Sequence, residues 1–356
     1  MVCEMELDVR NGDQGVIPLN HHPDFSELGY QVISELGRNR EGGRITYLAN
    51  VLKSNQQVVI KEFCFARAGA DLSGVKAYQR EIEILQQLNH SRIPRYIDSF
   101  EMPGAFYLVQ EYKNAPSLGL KRSFNPEEIK QIALSILEIL VYLQKQVSPI
   151  IHRDIKPENI LVDEELNAYL VDFGLARIQG AKVALSSFIA GTPGFMPPEE
   201  QFGHSLTEAS DLYSLGATLI CLLTNTRSVE IGKLIDDNYR FNFQQLVPQI
   251  SPRFRWWLMK MVERNRKRRY ANAAIALKAL GTIEVVGSAA GTDNFISTIK
   301  ARKRATLLGL ATVVTLAAVA GTLISYQSGN TVRQLSEARE CQSFDLSSGC
   351  QDKIGN

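Results

Sequence analysis

The sequence contains few cysteines, five among 356 residues. This number is too low for a disulfide scaffold of the kind that stabilises small secreted domains. An excess of one charge sign is also absent, because 39 Lys and Arg residues balance 38 Asp and Glu residues to a net charge of +1. A dedicated nucleic-acid-binding protein carries a marked basic excess, so we expect no nucleic-acid partner. The contents of 45% hydrophobic and 22% charged residues exclude wholesale disorder.

The N-terminal 28 residues lack the apolar run that a secretory signal requires. They carry acidic residues instead, including Glu4, Glu6 and Asp8. The alternating pattern of a folded domain begins near Tyr30. We therefore interpret residues 1–28 as a leader that precedes the folded domain.

One long hydrophobic run is present near the C-terminus. Ala305 to Tyr326 is a stretch of 22 residues without charge or proline, long enough to cross a hydrocarbon core of about 30 Å. Four of the five residues 300–304 are basic, which places that side in the cytoplasm. The sequence predicts a juxtamembrane linker at 281–304 and a single transmembrane helix at 305–326 that anchors the chain in the cell membrane. The alternative is a buried core helix.

The tail after this run, residues 327–356, is predicted to be extracytoplasmic. Cys341 and Cys350 are separated by eight residues of this tail, so we expect them to form a local disulfide if that compartment is oxidising. Within the apolar run, Ala317 and Gly321 are small residues four positions apart. Such a pair permits close helix approach and leaves a homodimer open as an alternative to a monomer.

The first part of the chain shows the alternating hydrophobicity of strands, and the later part shows helical spacing. Two strands between residues 30 and 50 are expected to be joined by a turn that carries Gly37, Gly42 and Gly43. Further strands are predicted near 58–61, 96–100 and 106–110, and helices near 74–88, 126–146, 208–224, 251–263 and 271–280. The predicted fold class is therefore α+β.

The segment His152-Arg-Asp-Ile-Lys-Pro-Glu-Asn159 carries the side chains that phosphoryl transfer requires. This reaction needs a carboxylate that orients the attacking hydroxyl and accepts its proton, a cation near the transferred phosphate, and an oxygen ligand for Mg²⁺. Asp154, Lys156 and Asn159 supply these three types within six residues. The segment therefore indicates a phosphotransfer loop.

Two further motifs follow in order along the chain. Asp172-Phe-Gly174 lies thirteen residues after Asn159 and offers a second contact to the metal. Gly191-Thr-Pro-Gly-Phe-Met-Pro-Pro-Glu199 is a loop that ends in a carboxylate. Each motif alone is a moderate signal, but the ordered set at these spacings is a strong one.

With these motifs the sequence resembles the eukaryotic-like (Hanks-type) protein kinases, and more narrowly the bacterial membrane-anchored serine/threonine kinases. The resemblance implies a bilobal protein-kinase domain at 29–280, with a β-rich N-lobe at 29–112 and an α-helical C-lobe at 113–280. It also implies transfer of the γ-phosphate of ATP to Ser and Thr hydroxyls of protein substrates. The metal would be Mg²⁺, with Mn²⁺ as an alternative.

The resemblance also implies roles in the nucleotide site. Lys61, in Val-Val-Ile-Lys, would anchor ATP. Glu81 would be its ion-pair partner, because the rival Glu83 lies about 200° further round the helix. Glu111 and Tyr112 match the hinge, whose backbone groups bind adenine. The catalytic and metal-binding residues implied in the same way are Asp154, Lys156, Asn159 and Asp172.

Structural and regulatory roles are implied as well. The family's structural residues correspond to His152, Arg153, Glu199, Asp211 and Arg269, with Arg269 as the buried partner of Glu199. Serine/threonine specificity rests on Lys156 and Thr192. Arg153 would pair with a phosphate on the activation loop. We predict autophosphorylation at Ser186 or Ser187, with Thr192 as a further candidate that we interpret mainly as a positioning residue.

The glycine-rich loop departs from the family's pattern. Gly37, Gly42 and Gly43 allow the backbone to approach the phosphates, but the segment aligns only with about two extra residues. Arg38, Arg40 and Arg44 either add positive charge to this loop or are solvated loop residues. The departure leaves open the alternative of a catalytically impaired pseudokinase scaffold.

Overall fold

The structure is a computed structural model that describes residues 22–39, 44–64, 72–120, 122–179 and 191–286. The N-lobe contains an antiparallel five-stranded sheet in the order β1-β2-β3-β5-β4. Its α-helix, α1, follows β3 in the chain and contacts β4 and β5. The elements are β1 (Tyr30–Asn39), β2 (Arg44–Val51), β3 (Gln57–Cys64), α1 (Leu72–Gln87), β4 (Tyr96–Met102) and β5 (Ala105–Glu111).

Strand β3 lies at the centre of the sheet, between β2 and β5. Residues 58–64 of this strand are all buried, which is why its sequence is almost continuously apolar instead of alternating. Lys61 lies opposite Thr46 of β2 and Leu108 of β5. Pairing on both sides therefore holds Lys61 at the middle of a rigid sheet.

Gly37 lies within β1, opposite Thr46 of β2, and not in the turn. The sequence-based prediction that the turn carries Gly37 was therefore wrong. The strand pairing shifts register between Glu35 and Gly37, and such an irregularity in a strand is a common position for glycine. Gly42 and Gly43 lie outside the described residues.

The outer face of the sheet is covered by Phe25, which precedes the predicted start of the domain at residue 29. Phe25 is 1% exposed. Its ring centroid lies 5.4 Å from that of Phe100 and 5.0 Å from that of Tyr107, both in edge-on arrangements. Phe25, a residue of the predicted leader, thus belongs to the apolar core of the N-lobe.

The C-lobe is mainly helical, as the sequence predicts. Helix α2 contacts α4, α6, β6 and β8, so it forms the centre of this lobe. The helices are α2 (Pro126–Gln144), α3 (Pro198–Gln201), α4 (Glu208–Leu223), α5 (Pro252–Met261) and α6 (Ala273–Gly281). Four short strands form two pairs, β6 (Ile150–Ile151) with β9 (Arg177–Ile178) and β7 (Ile160–Val162) with β8 (Ala168–Leu170).

Helix α2 begins with a complete capping box. The Asn125 side chain accepts hydrogen bonds from the N–H groups of Glu127 and Glu128, both at 2.9 Å. Glu128 in turn accepts one from the N–H of Asn125 at 2.7 Å, and Pro126 takes the first position, where a missing N–H costs nothing. These contacts fix the start of the helix on which the C-lobe packs.

The predicted membrane-spanning segment at 305–326 lies outside the described residues, as do residues 287–304 of the linker predicted at 281–304 and the tail. Val285, a residue of that predicted linker, is buried in the apolar core of the C-lobe. Among the residues that the structure describes, no helix combines the length and apolarity needed to cross a bilayer. The pair Cys341 and Cys350 also lies outside the described residues.

Candidate active site

The loop between β6 and β7 holds the predicted catalytic carboxylate, Asp154, which is 7% exposed. The Thr192 hydroxyl donates a hydrogen bond to Oδ1 at 3.0 Å, and Asn159 Nδ2 donates one to Oδ2 at 2.8 Å. Lys156 Nζ lies 2.9 Å from Oδ2. Because donors occupy both oxygens, the carboxylate is held in one orientation.

Thr192 connects the loop before α3 to the catalytic loop. Its hydroxyl accepts a hydrogen bond from Lys156 Nζ at 2.7 Å and donates one to Asp154. The hydroxyl is thus engaged on both sides, which suits a positioning residue. Its contacts bring together two of the motifs that the sequence places 36 residues apart.

Asp211 on α4 supports the backbone of the catalytic loop. Its carboxylate accepts hydrogen bonds from the N–H groups of His152 at 2.8 Å and Arg153 at 3.0 Å. Burial raises the pKa of Asp211 to about 6, so the carboxylate is mostly ionised at pH 7. Arg153 has a φ of 72°, a costly left-handed conformation that persists only where surrounding contacts impose it.

His152 packs against the Asp172-Phe-Gly174 motif. Its ring lies edge-on to Phe173 with centroids 4.7 Å apart, and its Nε2 is 3.2 Å from the carbonyl oxygen of Val171. Burial lowers the pKa of His152 to about 4, so the ring is neutral at pH 7. This packing links the catalytic loop to the loop that carries Asp172.

Lys61 of β3 and Glu81 of α1 form a buried ion pair. Lys61 Nζ donates to Glu81 Oε1 at 2.6 Å, and the two residues are 5% and 0% exposed. The rival Glu83 is exposed on the same helix. The structure thus brings Lys61 to Glu81, as the helical geometry predicts.

Two cationic side chains contact the carboxylate of Asp172. Lys61 Nζ lies 3.5 Å from Oδ1, and Arg44 NH1 donates to Oδ1 at 3.0 Å and to Oδ2 at 3.3 Å. Burial opposes ionisation of Asp172, but Lys61 and Arg44 outweigh it and lower the pKa of this carboxyl well below its usual range. Asp172 also has a left-handed φ of 64°. Its carboxylate is therefore charged at pH 7 and lies on a strained backbone.

A cavity of 1320 Å³ opens beside these residues. Gly37 and Thr46 line it from the N-lobe, and Ser117 is a further lining residue. The predicted site residues around it are Lys156, Asn159, Asp172 and Thr192, together with Arg44. The predicted hinge residues Glu111 and Tyr112 are not among its described lining residues.

The predicted hinge follows β5. Glu111 ends this strand, and its N–H donates to the carbonyl oxygen of Arg95 at 2.9 Å. The Glu111 carboxylate lies 2.8 Å from Lys113 Nζ and 3.3 Å from Arg95 Nε. Tyr112 leads out of the sheet toward the C-lobe.

The sequence matches the family model of the protein kinase domain over residues 30–279. The chain belongs to the protein kinase family. Its curated relatives include serine/threonine-protein kinase D of Synechocystis sp., which is 32% identical over 266 residues. Serine/threonine-protein kinase B of the same organism is 33% identical over 273 residues, and serine/threonine-protein kinase PknA of Nostoc sp. is 30% identical over 272 residues.

The chain spans about half the length of those relatives. The aligned regions cover 71%, 70% and 70% of its chain, but 52%, 46% and 46% of kinases D, B and PknA, respectively. The predicted bilobal architecture, with a β-sheet N-lobe and a helical C-lobe, is confirmed by the family match and by the structure.

A buried ion pair between Glu199 and Arg269 anchors α3. Arg269 donates from NH1 and NH2 to the two carboxylate oxygens of Glu199, each at 2.7 Å, and both side chains are buried. Ser210 adds a hydrogen bond to Glu199 at 2.9 Å. This pairing is the one that the resemblance implies for these two residues.

Arg153 has a partner that sequence reasoning missed. Its Nε donates to Glu200 Oε1 at 2.8 Å, and NH2 donates to the same oxygen. Both side chains are buried. An activation-loop phosphate was expected to pair with Arg153, but in the structure a carboxylate of the chain holds it. The candidate phosphosites Ser186 and Ser187 lie outside the described residues, so their modification stays a prediction.

The side chains of Asn159 and Asp172 offer oxygen atoms of the types that bind a divalent metal ion. Asn159 Nδ2 makes two hydrogen bonds at 2.8 Å, to the backbone oxygen and to Oδ2 of Asp154, so its amide oxygen is the atom left for a metal. Carboxylate and amide oxygens are the ligands that Mg²⁺ prefers, usually with phosphate and water completing the shell. No group of three or more His, Cys, Asp or Glu side chains in the described ranges is arranged to hold a metal.

Proposed function

We propose that this chain is a serine/threonine protein kinase that transfers the γ-phosphate of ATP to protein Ser and Thr hydroxyls. The observation that carries the proposal is the set of contacts around Asp154. Thr192, Asn159 and Lys156 hold its carboxylate in place, beside a cavity lined by Asp172. The names of the cyanobacterial relatives support the same reaction.

The chemistry follows from what each residue can do. Asp154 orients the substrate hydroxyl and accepts its proton as the oxygen bonds to the γ-phosphorus and the bond to the β-phosphate oxygen breaks. Lys156, which is 21% exposed in its side chain, supplies positive charge for the transferred phosphoryl group. Asn159 and Asp172 would hold Mg²⁺, which neutralises phosphate charge when it is bound.

Lys61 is proposed to hold the α- and β-phosphates, with Glu81 fixing its ammonium group. Catalysis then consists of positioning and charge neutralisation, because the side chains form no covalent bond with the phosphate. Lys156 and Thr192, the two residues that the resemblance links to serine/threonine specificity, contact each other, which supports Ser and Thr hydroxyls as acceptors.

Replacing Lys61 with Met is expected to reduce phosphate transfer about a hundredfold, because one fixed donor to the phosphates is lost. Radiolabelled transfer from ATP with Mg²⁺ to a protein acceptor measures the effect, and acid hydrolysis identifies the phosphoamino acid. The matched control is Lys53→Met, because Lys53 is exposed in the same lobe. Equal transfer by wild type and Lys61→Met, or phosphotyrosine as the product, would contradict the proposal.

The alternative function is a catalytically impaired pseudokinase scaffold. The observation that favours it is Arg44, which donates to both oxygens of the proposed metal ligand Asp172. The transfer assay separates the two functions, because a scaffold would show no difference between wild type and Lys61→Met. The intact Lys61–Glu81 pair and the ordered Asp154 favour the enzyme.

We further propose that residues 305–326 anchor the kinase in the cell membrane with the kinase domain in the cytoplasm. The uncharged run and the basic cluster before it support this location. The full chain is expected to stay with the membrane fraction after alkaline carbonate extraction, whereas a chain lacking 305–326 should be released. Release of the full chain would refute the anchor. The homodimer and the disulfide between Cys341 and Cys350 remain predictions.

A further inference from the structure

Arg44 occupies an unusual position for a residue at the start of a strand beside the glycine-rich loop. It is the first residue of β2, yet its guanidinium reaches Asp172, 128 residues away in the chain. It also lies over the ring of Phe63, with 4.9 Å from the guanidinium carbon to the ring centroid. The side chain is 23% exposed, so it is held inside the site and is not a solvated loop arginine.

The surroundings of Arg44 are strongly charged. A side chain added at Gly174 would come within 2.9 Å of Arg44 NH2 and 3.1 Å of Glu81 Oε2, so this glycine leaves room for both groups. Within the described residues, Glu81 Oε2 is buried without a hydrogen-bond partner. Arg44 is thus a second cation, beside Lys61, among the carboxylates of the site.

Arg44 and a divalent metal require the same atoms. A metal bound to Asp172 needs a lone pair of its carboxylate, and Arg44 donates to both of these oxygens. Two positive charges at one carboxylate repel each other at this short distance. Metal binding must therefore weaken or replace the contact between Arg44 and Asp172.

The phosphates of ATP would give a displaced Arg44 a new anionic partner. It lines the same cavity as Lys156 and Asn159, where the polyphosphate of ATP lies in the proposed function. Guanidinium groups bind phosphate oxygens with paired hydrogen bonds. A guanidinium released from Asp172 would therefore remain in the cavity that receives the phosphates in the proposed function.

We propose that Arg44 is an exchangeable counter-cation: it neutralises Asp172 before the metal binds, yields that carboxylate to the metal, and then binds the nucleotide phosphates. This inference rests on the proposed function, because it assumes that Asp172 binds the metal and that ATP occupies the cavity. It assigns Arg44 as a nucleotide-binding residue that also sets the metal affinity.

Two binding measurements on the full chain test the exchange. The first is the affinity for Mn²⁺ alone, measured from the electron paramagnetic resonance signal of the unbound ion. The second is the affinity for a fluorescent ATP analogue in EDTA, without metal. In Arg44→Gln, Mn²⁺ should bind at least about fivefold more tightly, and the ATP analogue should bind at least about fivefold more weakly. A factor of about five is the lower end of the coupling usually found between two binding sites. Arg44→Lys should lie between Arg44→Gln and wild type in both.

The opposite signs of the two changes make the test specific, because a damaged fold would weaken both affinities. Arg227→Gln is the matched control, since Arg227 is an exposed arginine that pairs with Glu230 and should change neither affinity. Unchanged or weaker Mn²⁺ binding in Arg44→Gln, or unchanged analogue binding, would overturn the exchange. If the wild type itself bound neither probe, the proposed function would fail together with the inference; if it bound both and Arg44→Gln did the same, only the inference would fail.

Discussion

Replacing Asp154 with Asn is expected to lower the rate of phosphate transfer roughly a thousandfold, within the range for loss of a general base. The amide has the shape of the carboxylate but cannot accept the proton of the attacking hydroxyl. Lys61, Asn159 and Asp172 are left in place, so the affinity for ATP should stay within about twofold of wild type. Steady-state transfer kinetics measure the rate, and fluorescence titration with an ATP analogue measures the affinity.

Asp237→Asn is the matched control for this substitution, because Asp237 is an exposed aspartate of the same lobe. Its transfer rate should equal that of wild type. A rate for Asp154→Asn within about tenfold of wild type would show that Asp154 is not the base. A large loss of ATP affinity would instead assign Asp154 a role in binding the nucleotide.

The chemistry-bearing residues of the catalytic loop could be predicted from the sequence because their spacing is local. Asp154, Lys156 and Asn159 lie within one loop, so a few residues of backbone suffice to bring them together. The choice of Glu81 over Glu83 was also predictable, since helical geometry places the two on different sides of α1. The 2.6 Å contact of Glu81 with Lys61 agrees with that choice.

Arg44 and Glu200 could not be assigned in the same way. The contact of Arg44 with Asp172 joins residues 128 positions apart, and nothing near Arg44 in the sequence distinguishes it from a solvated loop residue. Glu200 directly follows Glu199, yet the two carboxylates bind different arginines, Arg269 and Arg153. Only the packing of α3 against the catalytic loop determines which glutamate meets which arginine.

The two adjacent glutamates have one structural consequence. Glu200 ties the short helix α3 to Arg153 of the catalytic loop, and Glu199 ties it to Arg269, which lies between α5 and α6. The loop that carries Thr192 ends at this helix. Its position relative to Asp154 therefore depends on two buried ion pairs.

Replacing Arg269 with Met is expected to lower the free energy of unfolding by about 3–5 kcal/mol, the cost of leaving one member of a buried ion pair without its partner. Arg269 also donates to the backbone oxygens of Ala209 at 3.0 Å and Glu263 at 2.7 Å, and these would lose their donor. The expected fall in melting temperature is about 10 °C, measured by thermal unfolding and urea titration of the full chain.

Arg268→Met provides the matched control, because Arg268 is the exposed neighbour of Arg269 and should shift the melting temperature by less than about 2 °C. The double variant Glu199→Met with Arg269→Met tests the cause of the effect. Since it removes both buried charges at once, it should be more stable than Arg269→Met alone. If Arg269→Met unfolds like wild type, or if the double variant is less stable than the single one, the buried pair does not anchor α3, and the position of Thr192 must depend on the contact between Glu200 and Arg153.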